Sequence, residues 1–469
     1  MKTLNRANGL LALLLCGLCT MAEGSNEIYA ARCASCHADE PTRSGKDSGP
    51  TLEAMANMGR AQIRFALTRG KMQIHARDLS EQDLNHLIAF LAPSARDEWS
   101  AEAYLCANRA IDRRAFDEPT ISAWGLDARN TRYQPNSELR SDNVQDLELA
   151  WALGLPETAE VRSQVVVAGN TVFASSVGGH LFALDRTRGC IKWHRRPAQV
   201  IRTSLTLARV DDRPALVFGG ALKESTPMRL SLVDFGQAVF AVAADTGETL
   251  WAQDVALFRG TILTGGIVQH GARLLVPLSA MGVGFGGDPN FECCKSHGAV
   301  RALDANTGRI LWTAHMTAEA KPTYKNQLGV QQWGPSGASV WTTPTIDAKR
   351  NLAYVGTGQN SSSPASAMSD AIVAIDIDSG AVRWVYQGTA GDAFNSACLF
   401  GGPNCPKENG PDLDFGASAV LARTSNGKDI LLAGQKSGVV HALNPETGDL
   451  RWRTRVSPGS ALGGVHWGM

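Results

Sequence analysis

Five stretches of this chain repeat one pattern. They read LFALDRTRGCIKW, VFAVAADTGETLW, VRALDANTGRILW, IVAIDIDSGAVRW and VHALNPETGDLRW: a strand, a turn on Asp or Asn and Gly, then a second strand closing on Trp193, Trp251, Trp312, Trp384 or Trp452. The tryptophans follow one another at 58, 61, 72 and 68 residues. That interval suits a four-stranded antiparallel blade with one generous loop, and radial repetition of such blades makes a β-propeller. The repeated tryptophan is expected to lock blade to blade. Abundant Gly (47) and modest charge (19%) also suit a turn-rich β protein.

The opening MKTLNRANGLLALLLCGLCTMAEGS places Lys2 and Arg6 before an apolar run from Leu10 to Leu18 and small residues around Ala22. This is the form of a secretory signal peptide, here residues 1–22, and the run is too short to span a bilayer. Neither Cys16 nor Cys19 follows the small residue a lipoprotein site requires, and no later segment approaches a membrane span. A periplasmic product is expected. With 45 basic and 45 acidic residues, no net field exists to attract nucleic acid or anionic lipid. Eight of ten cysteines remain after cleavage, in a compartment where they can oxidise.

Directly after the leader, Cys33-Ala34-Ser35-Cys36-His37 forms a C-x-x-C-H run. This attaches a c-type haem: the two thiols form thioethers to the porphyrin, and the histidine supplies one axial bond to iron. A zinc site would need a second ligand pair, which the region does not offer. Met72 is the candidate second axial ligand, with Met55 and Met58 as competitors, and His75 reads as a surface residue. From Leu79 to Leu91 the pattern is an amphipathic helix with Ser80 as N-cap, Asp83 three residues on, and Leu84, Leu87, Ile88 and Leu91 on one face. A methionine loop before a closing helix resembles the small all-α class I cytochromes c. The expected division is a cytochrome domain over 25–95, a charged linker over 96–120 and an all-β propeller over 121–469.

The A-x-D-x-x-T-G-x-x-x-W units resemble the repeats of pyrroloquinoline quinone (PQQ) dehydrogenases. ISAWGLDARNTRYQP (Ile121 to Pro135), with the cytochrome in front, resembles the polyvinyl-alcohol dehydrogenase branch of that family. The resemblance covers the chain from about Cys33 to its last residue, and it implies a set of site residues. Trp341 is the ring lying flat beneath PQQ, Asn360 and Asp414 are Ca²⁺ ligands, and Asp414, with Asp412 as neighbouring decoy, is the base that takes the alcohol proton. Lys436 faces the quinone oxygens and Arg202 a cofactor carboxylate. Glu292 falls within one residue of the family's third calcium ligand. Cys293 and Cys294, in the same loop, would form a vicinal disulfide serving as a rigid lid opposite Trp341. Gly416 stands where lanthanide-using relatives place a second carboxylate, which implies calcium.

Six cysteines remain once leader and haem pair are set aside. The expected bonds are Cys293 with Cys294, Cys398 with Cys405 across CLFGGPNC, and by elimination Cys106 with Cys190. The implied protein is a periplasmic quinohaemoprotein. It would oxidise secondary alcohols, polyvinyl alcohol among them, to ketones, with PQQ, Ca²⁺ and haem c as cofactors and an external acceptor such as a soluble cytochrome c. Alternatives are another PQQ alcohol dehydrogenase, or a non-enzymatic haem-bearing propeller that carries electrons or acts as a scaffold. The family closes eight blades, whereas this chain offers five complete units. Asp142 to Pro156 reads as the start of the ring and GGVHWGM as the first strand of another blade. At about 60 residues per repeat, on the order of 150 residues would be missing, and the propeller is expected to be incomplete in this chain.

Overall fold

The computed structural model describes residues 25–38, 49–93 except 57, 69 and 71, 99–222 except 135, 136, 157, 159 and 160, and 237–468. The leader segment lies outside the described residues. The remainder divides into two compact units, the first taking in the chain up to Tyr104 with residues 154–161.

The first unit is helical. Residues 25–32 form α1, followed by α2 (Ala34–His37), α3 (Leu52–Ala56), α4 (Arg60–Thr68), α5 (Gln73–Ala76) and α6 (Glu81–Leu91). The Ser80 hydroxyl accepts the Asp83 N–H at 3.1 Å and starts α6 as the sequence predicts. Leu84, Leu87, Ile88 and Leu91 are buried against Tyr29, Met55, Ile63 and Leu67.

The second unit consists of successive antiparallel blades. The first is Val166–Ala168, Thr171–Ser175, Leu181–Asp185 and Ile191–Arg195, each strand paired with the next. The second and third centre on Arg213–Ala221, Gln237–Ala243 and Thr249–Asp254, and on Arg273–Ala280, Ala299–Asp304 and Ile310–His315. A fourth runs Thr345–Asp347, Leu352–Gly356, Ala371–Asp376 and Val382–Gln387, and a fifth Val420–Arg423, Asp429–Gly434, Val439–Leu443 and Leu450–Arg455. A short hairpin, Lys321–Lys325 with Gln331–Gly334, lies between the third and fourth.

Each letter of the repeat has a place. The alanine pairs across the sheet with the tryptophan, as in Ala302 with Trp312 and Ala374 with Trp384, and a bulge follows at the same point in every blade. The aspartate builds the turn: Asp304 Oδ1 accepts the N–H groups of Asn306 and Thr307 at 3.1 and 2.9 Å. The tryptophan reaches out of its own blade and donates its indole N–H to a backbone carbonyl of the next. Trp193 bonds Ala244, Trp251 bonds Ala305 and Trp312 bonds Ile377, all at 3.1 Å, while Trp384 bonds Pro445 at 3.2 Å. Trp151 does the same to Arg186 at 2.9 Å, giving the stretch from Asp142 to Pro156 its role before the first blade. The glycine of the turn lies under that ring: Gly380 has φ +75°, and a Cβ there would stand 2.6 Å from the Trp312 ring.

The chain near GGVHWGM departs from expectation. It forms no strand among the described residues; Val465 N–H bonds Gln435 O and Trp467 N–H bonds Gly416 O, both at 3.1 Å, in an irregular segment. These two contacts lay the segment along the fifth blade's loops.

Two outcomes test this architecture. Gly380→Ala should lower stability by about 1–3 kcal/mol from forced left-handed backbone, and Trp312→Phe by about 1 kcal/mol from the lost hydrogen bond, both read by far-UV circular dichroism in urea. His297, paired with His315 at 2.8 Å, and His441, paired with the Tyr386 hydroxyl at 2.9 Å, are both pushed down to about 4, chiefly by burial. The unfolded chain therefore binds protons below its ordinary histidine pKa of about 6.5 that the folded chain refuses. Their contribution to stability is complete above that value and is lost as pH falls towards 4, and His441→Asn should flatten the melting temperature between pH 7 and 5.

Candidate functional site

In the helical unit, the His37 ring is buried and its Nδ1 lies 2.8 Å from the Pro50 carbonyl. A carbonyl can only accept, so Nδ1 carries the proton and Nε2 keeps its lone pair. The Tyr29 hydroxyl donates to the His37 carbonyl at 3.0 Å, and glycine is needed at Gly49 because a Cβ there would collide with the imidazole. Cys33 and Cys36 are free thiols, and burial pushes the Cys33 thiol up. Met72 precedes α5 and, with Cys33, Met55 and Met58, borders one apolar cluster. Two thiols, an oriented imidazole and apolar walls suit covalent haem.

In the blade unit, chemistry gathers where strands of the fourth and fifth blades end together. Asp414 and Lys436 are both buried. The Lys436 ammonium lies 3.0 Å from Asp414 Oδ2 and 3.1 Å from Asp412 Oδ1, while Asp414 Oδ1 accepts the Gln359 N–H at 3.0 Å. Burial opposes the charge on Lys436, but Asp414 and Asp412 outweigh it and hold its pKa above the ordinary value. Asp412 is pushed up to about 7, by burial and then by the charge of Asp414.

Trp341 adjoins this pair. Lys436 Nζ is 5.7 Å from its ring centre, and a Cβ on Gly416 would collide with the ring. His466 and Trp467 approach the same ring edge-on at 5.2 and 5.1 Å. A small cleft beside it is lined by Trp124, Arg162, Ser204, Thr343, Ser418 and Trp467.

Asn360 is one residue from the N–H that holds Asp414, and it is fully buried. Its amide donates to Ser336 O and its Oδ1 accepts the Ser366 N–H, both at 2.5 Å, which leaves one lone pair on that oxygen. Trp341, Asp414 and Lys436 are thus brought together, with Asn360 next in the chain to the residue whose N–H holds Asp414.

Glu292 and Arg202 have different surroundings. Glu292 is exposed, 3.1 Å from Lys295 Nζ and 3.3 Å from the Trp333 indole nitrogen. Arg202 is half-buried just after strand Val200–Ile201 in the second blade. Cys293 and Cys294 are bonded to each other and wholly buried, with the Cys293 sulfur near Ser361 O and Asn395 Nδ2. Cys398–Cys405 and Cys106–Cys190 are also bonded.

Two residues that the sequence reading passed over belong to the cluster. Asp370, just before strand Ala371–Asp376, and Asp392 are both fully buried, and the charges of Asp414 and Asp392 add to burial in holding Asp370 well above the carboxylate range. In sequence they read as ordinary turn residues, SDA and GDA, with nothing local to separate them from solvated aspartates. Among the described residues, no three His, Cys, Asp or Glu side chains converge closely enough to hold an ion unaided.

Residues 122–396 match the family described as glucose/ethanol/alcohol dehydrogenase, β-propeller domain, and residues 21–91 match cytochrome c oxidase, cbb3-type, subunit III. The chain is 34% identical over 466 residues to a polyvinylalcohol dehydrogenase of Pseudomonas sp., covering 94% of this chain and 69% of that protein. Against one from Sphingopyxis sp. (strain 113P3) the values are 32%, 94% and 68%. A solved quinohemoprotein alcohol dehydrogenase from Pseudomonas putida superposes with a TM-score of 0.55 at 20% identity, covering 75% of this chain and 50% of that one, a likeness of fold alone.

The helical unit yields a direct test. Met72→Ala should leave the chain carrying the mass of one haem while removing sulfur ligation, read as a changed reduced spectrum and a lowered potential. An unchanged spectrum would pass the ligand role to Met55 or Met58.

Proposed function

This chain belongs to the polyvinylalcohol dehydrogenase family, and from that premise we propose that it oxidises secondary alcohols, polymeric ones included, to ketones as a quinohaemoprotein. The observation that carries the reading is the buried Asp414–Lys436 pair set against Trp341. A propeller that only scaffolds has no use for a carboxylate and an ammonium buried together beside a second, half-buried carboxyl, since each costs desolvation.

PQQ, when bound with calcium, supplies a polarised two-electron acceptor, and covalent haem supplies the one-electron outlet. Cys33 and Cys36 would anchor the haem, with His37 Nε2 and Met72 as its axial ligands. Trp341 would support the flat face of the quinone, Lys436 its oxygens and Arg202 a carboxylate, with the Cys293–Cys294 bond as the opposing lid. Asn360 and Asp414 would offer oxygens to calcium.

The remaining work falls to Asp414. Its Oδ1 is fixed by the Gln359 N–H and its Oδ2 by Lys436, so the carboxylate is oriented before any alcohol arrives. An alcohol hydroxyl brought beside this carboxylate would give it the proton, with Lys436 and the Gln359 N–H holding the carboxylate in place. The expected leader would place the protein in the periplasm, with a soluble cytochrome c as external acceptor. No helix among the described residues is long and apolar enough to cross a membrane.

Asp414→Asn should cut dye-linked oxidation of a secondary alcohol, assayed with added PQQ and Ca²⁺, by about 10²–10⁴-fold. PQQ binding, followed by quenching of tryptophan fluorescence, should persist. A variant that keeps its turnover would remove Asp414 from the role of base.

A further inference from the structure

Asp370 is fully buried, and neither of its carboxyl oxygens meets a hydrogen-bond donor. The carboxyl facing it, Asp392, is also fully buried and has one oxygen, Oδ1, without a donor; the other accepts the Leu413 N–H at 3.1 Å. Two acceptors cannot satisfy each other. Lys436 is committed to Asp412 and Asp414, so its ammonium is engaged elsewhere. Unpaired carboxylates in a dry interior persist only if they are neutralised by a proton or coordinated by a cation.

The backbone ties these oxygens into one assembly with the residues already assigned to calcium. Asn360 N–H donates to Asp392 O at 3.1 Å, and Asp370 N–H donates to Gly358 O at 3.1 Å. Gly358 in turn lacks a Cβ where one would stand 2.9 Å from the Asp414 carboxylate. Glu292 is exposed and engaged with Lys295 and Trp333. Calcium takes six to eight oxygens and favours carboxylates and amide carbonyls. Asp370, Asp414 and the remaining lone pair of Asn360 are such donors, and the cofactor can complete the shell.

We propose that Asp370 is the anionic ligand that completes the calcium site with Asp414 and Asn360, in the place the sequence pattern assigns to Glu292. This rests on the quinohaemoprotein reading above. Asp392 faces Asp370, with its Oδ2 held by the Leu413 N–H.

The test uses the full chain, stripped of metal by chelation and titrated with Ca²⁺ alone, with affinity read by calorimetry and the melting temperature followed in parallel. Wild type should bind and melt higher with calcium. Asp370→Asn should bind at least about tenfold more weakly and, without metal, melt no lower than wild type, because a buried unpaired carboxylate has gone. Glu292→Gln should behave as wild type. If Asp370→Asn does not accumulate, Asp370→Ser serves the same comparison. Wild-type affinity in the Asp370 variants, with loss in Glu292→Gln, would overturn the inference alone. A wild type that shows no calcium response in either measurement would overturn the calcium reading and the inference with it.

Discussion

The second unit depends on one contact made several times: an indole that leaves its own sheet and hydrogen-bonds a carbonyl of the next. The middle strands of the sheets are buried on both faces, and the clusters packed between blades are mostly Val, Leu, Ala and Phe. Such surfaces attract but do not choose a register. The Trp N–H has a fixed direction, and its ring must lie over a residue without a Cβ, so glycine at the turn and tryptophan at the strand end select one rotation of blade upon blade.

That rotation is what makes chemistry possible at the strand ends. Asp414 and Lys436 come from loops of the fifth blade, Asn360, Asp370 and Asp392 from loops of the fourth, and Trp341 precedes the fourth blade's first strand. Over loops of this length, small errors in blade angle would separate the Gln359 N–H from Asp414 or push Gly416 off Trp341. The stiff core holds the site so that electrostatically costly groups can sit together. Four carboxyls close together, only two of them against the Lys436 ammonium, would drive a soft structure apart, and here the backbone bonds through Gly358, Asn360 and Lys436 oppose it.

Much of this was legible in the chain itself. Repetition at a recurring interval revealed the blades, because each unit must satisfy the same local demands: an aspartate or asparagine to close the turn, a glycine for left-handed backbone, an apolar run for a strand buried on both faces. The C-x-x-C-H run and the Ser80-capped helix were equally local, since a thioether pair with its axial histidine and an N-cap are complete within a few residues. Trp341, Asn360, Asp414 and Lys436 were expected through resemblance, and the structure sets Asp414, Lys436 and Trp341 side by side.

Asp370 and Asp392 could not be found that way. Nothing in SDA or GDA tells a solvated turn carboxylate from one sealed 22 residues away from its partner, because burial is a property of the packed blades and not of the turn. Glu292 shows the converse: its position in the pattern pointed to the site, but its loop turns the side chain out to Lys295 and Trp333. The sequence by itself determined the repeat, the haem attachment run and the type of each blade, since these rest on neighbours in the chain. Only the tertiary structure decided which carboxyls share a dry interior with Lys436, because the desolvation and charge that distinguish them arise from residues tens of positions apart.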